Sequence, residues 1–565
     1  MYYMQNAWVN WLDKWFRILL AAGILLNASS LFVTVLEPDG ALYATIAKNM
    51  ALSKDFINLK LQGNDWLDKP HFPFWVTACS FSILGISGFA YKLPALLFFL
   101  AGGYYTYRFA KMNYSKQVAQ LSLLIYLTAE HLVLSNNDVR AEPYLTTLMI
   151  AAVYYLHKWL IDRNRWCVLA GSLAAACAVM TKGWFVLPII FAGFLLNYLL
   201  KKNWRTILYD QWWLVLLLVA VFILPELYCL YVQFDSHPEK IVFGRTHVSG
   251  IRFFFWDSQF GRFTNSGPIK GEGDPFFYLH TLLWAFLPWS VIVYMSVVNV
   301  AQTIFRKQMQ APEYITTGCA VFGFLLFSLS KFQLPHYLNI LFPFFSVIAA
   351  SFLFRVASKR TVKAIIFAQQ CIVIVLPLAT TALIFYYRFT NRYLIAGLFV
   401  LLFAGSYAIF RKQRLANLFG RSFLFILVTN LFLFLFFYPA ILIYQAGSEA
   451  AFVINQSASS DTVYVPKDYG AAYSFNFYLQ KPVRFIEMNE IKQLAAVKNF
   501  RMFIPGNYKD SLASSSLQFQ YIQSFPHFHI SKLDAEFINP ATRQSSVSYY
   551  HIVIIKQFQP NHAVD

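Results

Sequence analysis

The chain has 565 residues, 58% of them hydrophobic and 13% charged, with a formal net charge of +19 and a mean hydropathy of +0.49. Soluble domains carry about 25% charged residues, so a soluble enzyme, a disordered chain and a fibre are excluded, and a polytopic membrane protein remains. Excess positive charge could point to nucleic acid, but in a membrane chain it reads as cationic cytoplasmic loops, with no nucleic-acid partner. The six cysteines (Cys79, Cys167, Cys177, Cys229, Cys319, Cys371) lie in the apolar part without Cys-x-x-Cys or Cys/His spacing. This argues against disulfides and a structural zinc site.

In chain order, apolar runs place spans at roughly 17–36, 91–110, 117–136, 143–160, 166–182, 183–200, 211–231, 276–300, 314–330, 335–354, 364–387, 393–410 and 422–443, about 13 helices. The first follows Lys14 and Arg17 and has no small-residue cleavage site, so it reads as a span rather than a removable signal. The stretch 71–88 is apolar but flanked and broken by Pro70, Pro73, Gly85 and Gly88, and reads as an interfacial helix. Short loops rich in Lys and Arg, such as those holding Arg108/Lys111/Lys116 and Arg355/Lys359/Arg360/Lys363, are cytoplasmic by the positive-inside rule. The alternate loops 37–90, 137–142, 232–275, 331–334 and 388–392 fall on the outer side, and an odd number of spans puts the tail there too. In that tail, 445–565, short β-like runs (Thr462–Val465, Val483–Ile486, Met502–Ile504, Tyr549–Ile555) alternate with helix-like stretches such as Tyr469–Leu479. The expected organisation is a mainly α membrane domain, 1–444, followed by a small α/β domain, 445–565.

Charged groups at membrane ends are costly unless they face water or a partner, so they are functional candidates. Asp39 exits the first span and begins a helix; it is either an N-cap or a carboxylate base at the membrane surface. Asp138, Arg140 and Glu142 leave the third span together, as an interfacial ion-pair knot or as part of a site. Lys182, in Thr181-Lys182-Gly183, either snorkels or reaches a ligand. The long outer loop carries Lys240, Arg245, His247, Arg252 and Arg262 among aromatics. These suit an interfacial belt, or a lipid-linked anion with rings on the chain and guanidinium groups on the phosphate. Lys331, His336 and Tyr337 follow the ninth span. Five loops thus place acids, cations, His and Tyr on one face. A transporter would instead place ionisable groups at mid-membrane; the main candidates inside spans, Glu130 and Glu226, lie near predicted ends.

An ordered set of short motifs resembles the glycosyltransferase-C (GT-C) superfamily, and within it the bacterial aminoarabinose transferases of lipid A and the protein O-mannosyltransferases. The motifs are Asp39-x-x-x-Tyr43-x-x-Ile46-Ala47, Asp68-Lys69-Pro70 with Trp75, Arg140-x-Glu142, Thr181-Lys182-Gly183, Phe260-Gly261-Arg262-Phe263, Lys331-x-x-Leu334-Pro335-x-Tyr337 and, in the tail, Asn476 to Val483. The family's acid pair after the first span is here Asp39-Gly40, its Glu-Lys-Pro piece is Asp68-Lys69-Pro70, and its His before the Arg-Phe pair is Gln259. The resemblance implies a transferase of the bacterial inner membrane, acting at the periplasmic face as a monomer. It would move a sugar from a polyprenyl-phosphate donor to lipid A, another glycolipid or glycan, or a protein. No cofactor is certain, and a divalent metal is left open. On this reading Asp39 is the general base of an inverting reaction. Lys69, Arg245, Arg252, Arg262, Lys331 and Tyr337 hold the donor phosphate and sugar, and Tyr43, Asp68, Asp138, Arg140, Glu142, Lys182 and His336 orient acceptor, sugar or a cation. A lipid-linked-glycan flippase is the alternative from another class.

Overall fold

The computed structural model describes residues 2–203, 205–206, 211–307, 311–412, 414–457, 461–467, 472–515 and 517–557. The apolar runs fold as helices, and the protein is mainly helical. The amino-terminal part runs through α1 (Tyr2–Ser29), α2 (Asp39–Ser53), α3 (Phe72–Leu84), α4 (Gly88–Asn113), α5 (Lys116–Thr128), α6 (Glu130–Asn137), α7 (Glu142–Asp162), α8 (Arg165–Lys182) and α9 (Val186–Leu200). Among the described residues six helices are long and apolar enough to cross a membrane: Gln5–Phe32, Gln211–Asp235, Pro335–Arg355, Lys359–Tyr387, Arg392–Ile409 and Leu415–Leu442. The pair α5 and α6, bent by 51°, adds a seventh. Length and composition therefore confirm six or seven of the about 13 expected spans among the described residues. Buried Lys92 lowers the apolar character of α4, and Glu142, His157 and Lys158 lower that of α7. Val186–Leu200, Ser290–Phe305 and Ile315–Leu329 are apolar but shorter. The first helix also starts at Tyr2, not near residue 17, because Trp8 and Leu12 pack into the core. The stretch 71–88 holds only the 13-residue α3 and the start of α4.

Two expected spans are broken, and each break supplies what the other lacks. Residues 276–300 divide into Phe277–Ala285 and Ser290–Phe305 around Pro288, and residues 117–136 divide at Ala129. The free Glu130 N–H donates to Leu287 O, 3.0 Å, and Trp289 Nε1 donates to Thr128 Oγ1, 3.0 Å. Gln369 Nε2 donates to Pro288 O, 2.8 Å. Irregular backbone at membrane depth is tolerated only where protein partners satisfy it.

Outside the bundle, β1 (Lys60–Leu61) and β2 (Asn64–Asp65) form a small hairpin, and the tail carries β3 (Val463–Pro466), β4 (Val483–Ile486), β5 (Phe500–Pro505), β6 (Phe519–His527) and β7 (Ser548–Ile555). These tail strands make one sheet in the order β4-β3-β5-β7-β6, with β3 parallel to β4 and β5 and the remaining pairs antiparallel. Alternation along β5 sends Met502 and Ile504 to one face, with Ile491 and Leu512 from flanking helices, and Phe503 to the other, with Phe475 and Ile454. Sequence reading missed β6, whose residues are mostly exposed and lack an apolar alternation. The expected helix Tyr469–Leu479 begins outside the described residues; Tyr473–Tyr478 is helical.

That short helix docks the tail onto α2. Phe477 packs in one apolar cluster with Tyr43, Ala47, Phe74 and Tyr91. The Lys48 ammonium, on a side chain 9% exposed, donates to three backbone carbonyls: Leu479 O at 2.6 Å, Asn476 O at 2.7 Å and Phe477 O at 3.0 Å. Val35 N–H donates to Tyr478 Oη, and Ser474 N–H donates to the Glu37 carboxylate at 2.6 Å. Gln445 bridges Val35 O and Glu37 N–H. The segment 35–48, which carries Asp39, is thus clasped by residues 445–479.

Candidate active site

Asp39 opens α2, where its charge suits the helix amino terminus; the N-cap position itself is Pro38, which has no capping side chain. Asp39 Oδ2 pairs with Arg140 Nη1 at 2.6 Å, and the Asp39 side chain remains 41% exposed. Arg140 turns its Nε and Nη2 to Asp138 Oδ2 at 3.0 and 2.7 Å. The guanidinium fork therefore links the end of α6 to the start of α2. Burial works against the Arg140 charge, but Asp138 and Asp39 overcome it and raise its pKa. Asp138 Oδ1 lies 3.2 Å from where a Cβ at Gly40 would stand. A second carboxylate, that of Asp138, thus stands beside Gly40.

A second knot lies beside it. Asp68 accepts from Lys69 Nζ at 2.5 Å and from Arg262 Nη2. Burial alone would raise Asp68, but Lys69 and Arg262 outweigh it and hold its carboxyl below the usual range. Burial pulls Lys69 down to about 8, with Asp68 opposing and Arg262 adding to the fall. This loop is anchored from behind by His71, whose Nδ1 lies 2.9 Å from Glu226 Oε1 and whose Nε2 lies 2.9 Å from Ile57 O. Both ring nitrogens face acceptors, so the doubly protonated imidazolium satisfies them best; burial opposes that charge, yet Glu226 raises the His71 pKa.

The third knot joins α7, α8 and the segment after Leu334. Lys182 Nζ pairs with Glu142 Oε1 and stands 3.9 Å from the ring centroid of Tyr337. His336 Nε2 is 3.6 Å from the same Glu142 oxygen, too far for a hydrogen bond. Gly183 has a φ of +128°, and Gln259 lies where its Cβ would be. This close approach lets the Gln259 amide reach Lys182 O at 3.3 Å. Tyr43 sits among the three knots: burial first, then Asp39, Asp68 and Glu142, push its phenol well up, so it stays neutral.

Two cavities meet at Lys182, Ser258 and Arg262. One, of about 220 Å³, is walled by Trp184, Phe185, Phe260, Phe263, Phe327 and Phe332, with Lys182, Arg262 and Tyr337 at its polar end. The other, a narrow pocket of about 20 Å³, reaches Asp68 and Lys69. Arg262 also stacks over Phe332 at 5.4 Å, and its buried Nε has no partner among the described residues.

The structure therefore gathers Asp39, Tyr43, Asp68, Lys69, Asp138, Arg140, Glu142, Lys182, Arg262, His336 and Tyr337. It does not gather Arg245, Arg252 and Lys331 with them. Arg245 is exposed on a tight backbone bridge with Val242. Arg252 is 74% exposed and faces Asp257 at 3.9 Å. Lys331 is exposed, and its backbone N–H donates to Phe263 O. Asp39 lines neither cavity directly. Among the described residues no group of three or more His, Cys, Asp and Glu is placed to hold a metal ion. The acids of the cluster are committed to Arg140, Lys69, Arg262 and Lys182, a donor set that does not fit a bare cation. Sequence reading missed Lys48, Glu37 and His71; the one signal for Lys48 was the tail motif around Asn476 to Val483, which is its docking partner.

Known proteins resemble this chain in sequence and fold. A family model for dolichyl-phosphate-mannose-protein mannosyltransferase matches residues 68–229. The chain is 24% identical to an undecaprenyl phosphate-α-4-amino-4-deoxy-L-arabinose arabinosyl transferase of Edwardsiella ictaluri, over 57% of this chain and 56% of that one. It is 26% identical to such a transferase of Proteus mirabilis, over 54% and 52%. The chain spans just over half the length of these curated relatives. The crystal structure of ArnT from Cupriavidus metallidurans bound to undecaprenyl phosphate aligns over 96% of this chain and 98% of that one, with a TM-score of 0.74 at 17% identity. The chain thus shares the fold of that structure. The curated relatives are of the same kind as the aminoarabinose transferases that the sequence motifs resemble.

Proposed function

We propose that the protein is an integral-membrane glycosyltransferase that moves a sugar from a polyprenyl-phosphate donor to lipid A or another envelope glycolipid. The observation that carries this reading is the junction at Lys182 and Arg262, where an aromatic cleft ends at a pocket of paired cations. An isoprenoid chain lies against the Phe and Trp walls, and its phosphate enters at the cations. Asp68 and Glu142 hold Lys69, Arg262 and Lys182 in place until that phosphate displaces them as acceptors. As the sugar–phosphate bond breaks, the departing phosphate gains negative charge, which these preset donors stabilise. The acceptor hydroxyl attacks the anomeric carbon from the opposite side, inverting it, and gives its proton to Asp39. Arg140 fixes Asp39 by one oxygen while the exposed side chain stays reachable.

The cluster and the 445–565 domain face the periplasm of a bacterial inner membrane, and the short cationic loops face the cytoplasm. Reporter fusions after Arg421 and after Gln445 are expected in opposite compartments; equal compartments overturn this orientation. The mannosyltransferase family model over 68–229 favours a second reading with a protein acceptor. The deciding assay supplies purified protein with a radiolabelled polyprenyl-phosphate sugar and, separately, envelope lipid, glycan or protein. Transfer to one acceptor with inversion is expected. A donor left intact but moved across the bilayer refutes the transferase and makes the protein a flippase.

A further inference from the structure

A cavity of about 420 Å³ lies at the far end of the helices from the Asp39 cluster. The span Pro335–Arg355 measures the separation: Tyr337 belongs to the cluster, Arg355 lines the far cavity, and 21 residues of helix cover about 30 Å, one hydrocarbon core. The walls come from Ser290–Phe305, Ile315–Leu329, the end of Phe342–Arg355 and the first turn of Lys359–Tyr387.

The lining groups are arranged for an anion. Arg355 has no carboxylate within ion-pair distance among the described residues; its guanidinium rests 5.2 Å from the Tyr114 ring. The one acid in the wall among the described residues, Glu313, is fully engaged. Its Oε1 accepts from Tyr114 Oη and Thr316 Oγ1, each at 2.7 Å, and its Oε2 accepts from Thr316 N–H at 2.9 Å. Glu313 thus orients the ring that carries Arg355 and has little capacity left for a cation. Tyr314, also in the wall, is 3% exposed, yet its hydroxyl has no partner among the described residues. A buried hydroxyl without a partner is costly and marks a place for a ligand oxygen. Ser358 and Thr361 bring the first turn of a 29-residue helix to the rim; Lys359 and Arg360, between them in sequence, and Arg306 and Lys307, which follow the lining residue Thr303, are exposed.

From this geometry we infer that the cavity binds the phosphate headgroup of an anionic phospholipid in the leaflet opposite the Asp39 cluster. Basic pockets between transmembrane helices are suited to such headgroups. The cavity lies where the helices leave the bilayer, so a lipid presents its phosphate there without leaving its leaflet. The surrounding Lys and Arg disfavour a zwitterionic head with an outer quaternary ammonium. This site does not depend on the transferase reading.

The test uses the full chain in nanodiscs of phosphatidylcholine doped with a phosphatidylglycerol analogue carrying a photoreactive headgroup. Labelled peptides are mapped by mass spectrometry. Labelling is expected within 311–317 and 351–361, competed by unlabelled phosphatidylglycerol but not by phosphatidylcholine or soluble glycerol phosphate. Arg355→Gln should lower it about tenfold and Tyr314→Phe several-fold, with elution as a single folded species unchanged. Labelling that is equal in wild type and Arg355→Gln, or that falls elsewhere, overturns the site. Equal competition by soluble glycerol phosphate overturns the lipid and leaves a site for free phosphate.

Discussion

Replacing Lys48 with Met keeps the aliphatic stem of the residue and removes the ammonium that ties α2 to the tail. Three backbone carbonyls lose their common donor, and a buried acceptor left unpaired costs ~1–3 kcal/mol. Part of this is offset: burial holds Lys48 at about 8 rather than 10.5, and a shift of that size corresponds to ~3 kcal/mol of burying a charge, which the Met variant no longer bears. The net expectation is a loss of about 3 kcal/mol from the docking of 476–479 on α2, about a hundredfold in its equilibrium. Hydrogen exchange read by mass spectrometry on the full-length protein is the direct measurement. Amides of 39–53 and 472–480 should exchange about a hundredfold faster, while α5 and α7 stay protected. Turnover should fall with the loosening of Asp39, and Lys48→Arg should recover part of both. Unchanged exchange in Lys48→Met would mean that Phe477 and its apolar neighbours hold the tail alone, and the clasp argument fails.

Three further outcomes follow from the site. Asp39→Asn keeps size and the pairing with Arg140 but cannot take a proton, so turnover should drop by roughly 10²–10⁴-fold with an unchanged melting temperature; near-normal turnover would make Asp39 a structural partner of Arg140 only. Lys69 is protonated below about 8 in the unliganded protein, and only that form attracts a phosphate, so kcat/KM should be full below this pH and decline as pH rises through it. Lys69→Arg should move that limb to higher pH; an identical limb in the Arg variant would assign it to another group. Glu142→Gln leaves Lys182 without its carboxylate in a largely buried setting, which should cost about 3–5 kcal/mol of stability, read as a lower melting temperature that the double variant with Lys182→Met partly restores.

Much of the cluster was legible because ionisable residues are rare in this chain and those at span ends stand out. The residues that converge come from loops tied closely to helix ends: Asp39 starts α2, Glu142 starts α7, Lys182 ends α8. Arg245 and Arg252 have the same chemistry in a long loop, and composition gives no sign that their side chains face solvent. The pairing pattern was not legible either, since which acid meets which cation depends on helix packing over separations such as Asp68 to Arg262. Lys48 escaped because one lysine within a mixed helix has no signature of its own; its acceptors are backbone carbonyls, which every residue has. The breaks inside two spans were not legible, because sequence reading counts apolar runs as continuous. Pro288 and the turn at Ala129 break two of them, and their orphaned groups meet only in three dimensions.

The clasp also sets an order on how the protein is made. The residues that fix α2 lie 428–431 positions beyond Lys48, so α2 emerges early and waits for almost the entire chain before its partners exist. Contacts of such sequence separation form late. A chain interrupted before the tail would carry its membrane helices and every cation of the cluster, yet its Asp39 helix would lack its outer support. The support of the Asp39 helix thus arrives only with residues 476–479, after all the membrane helices have been made.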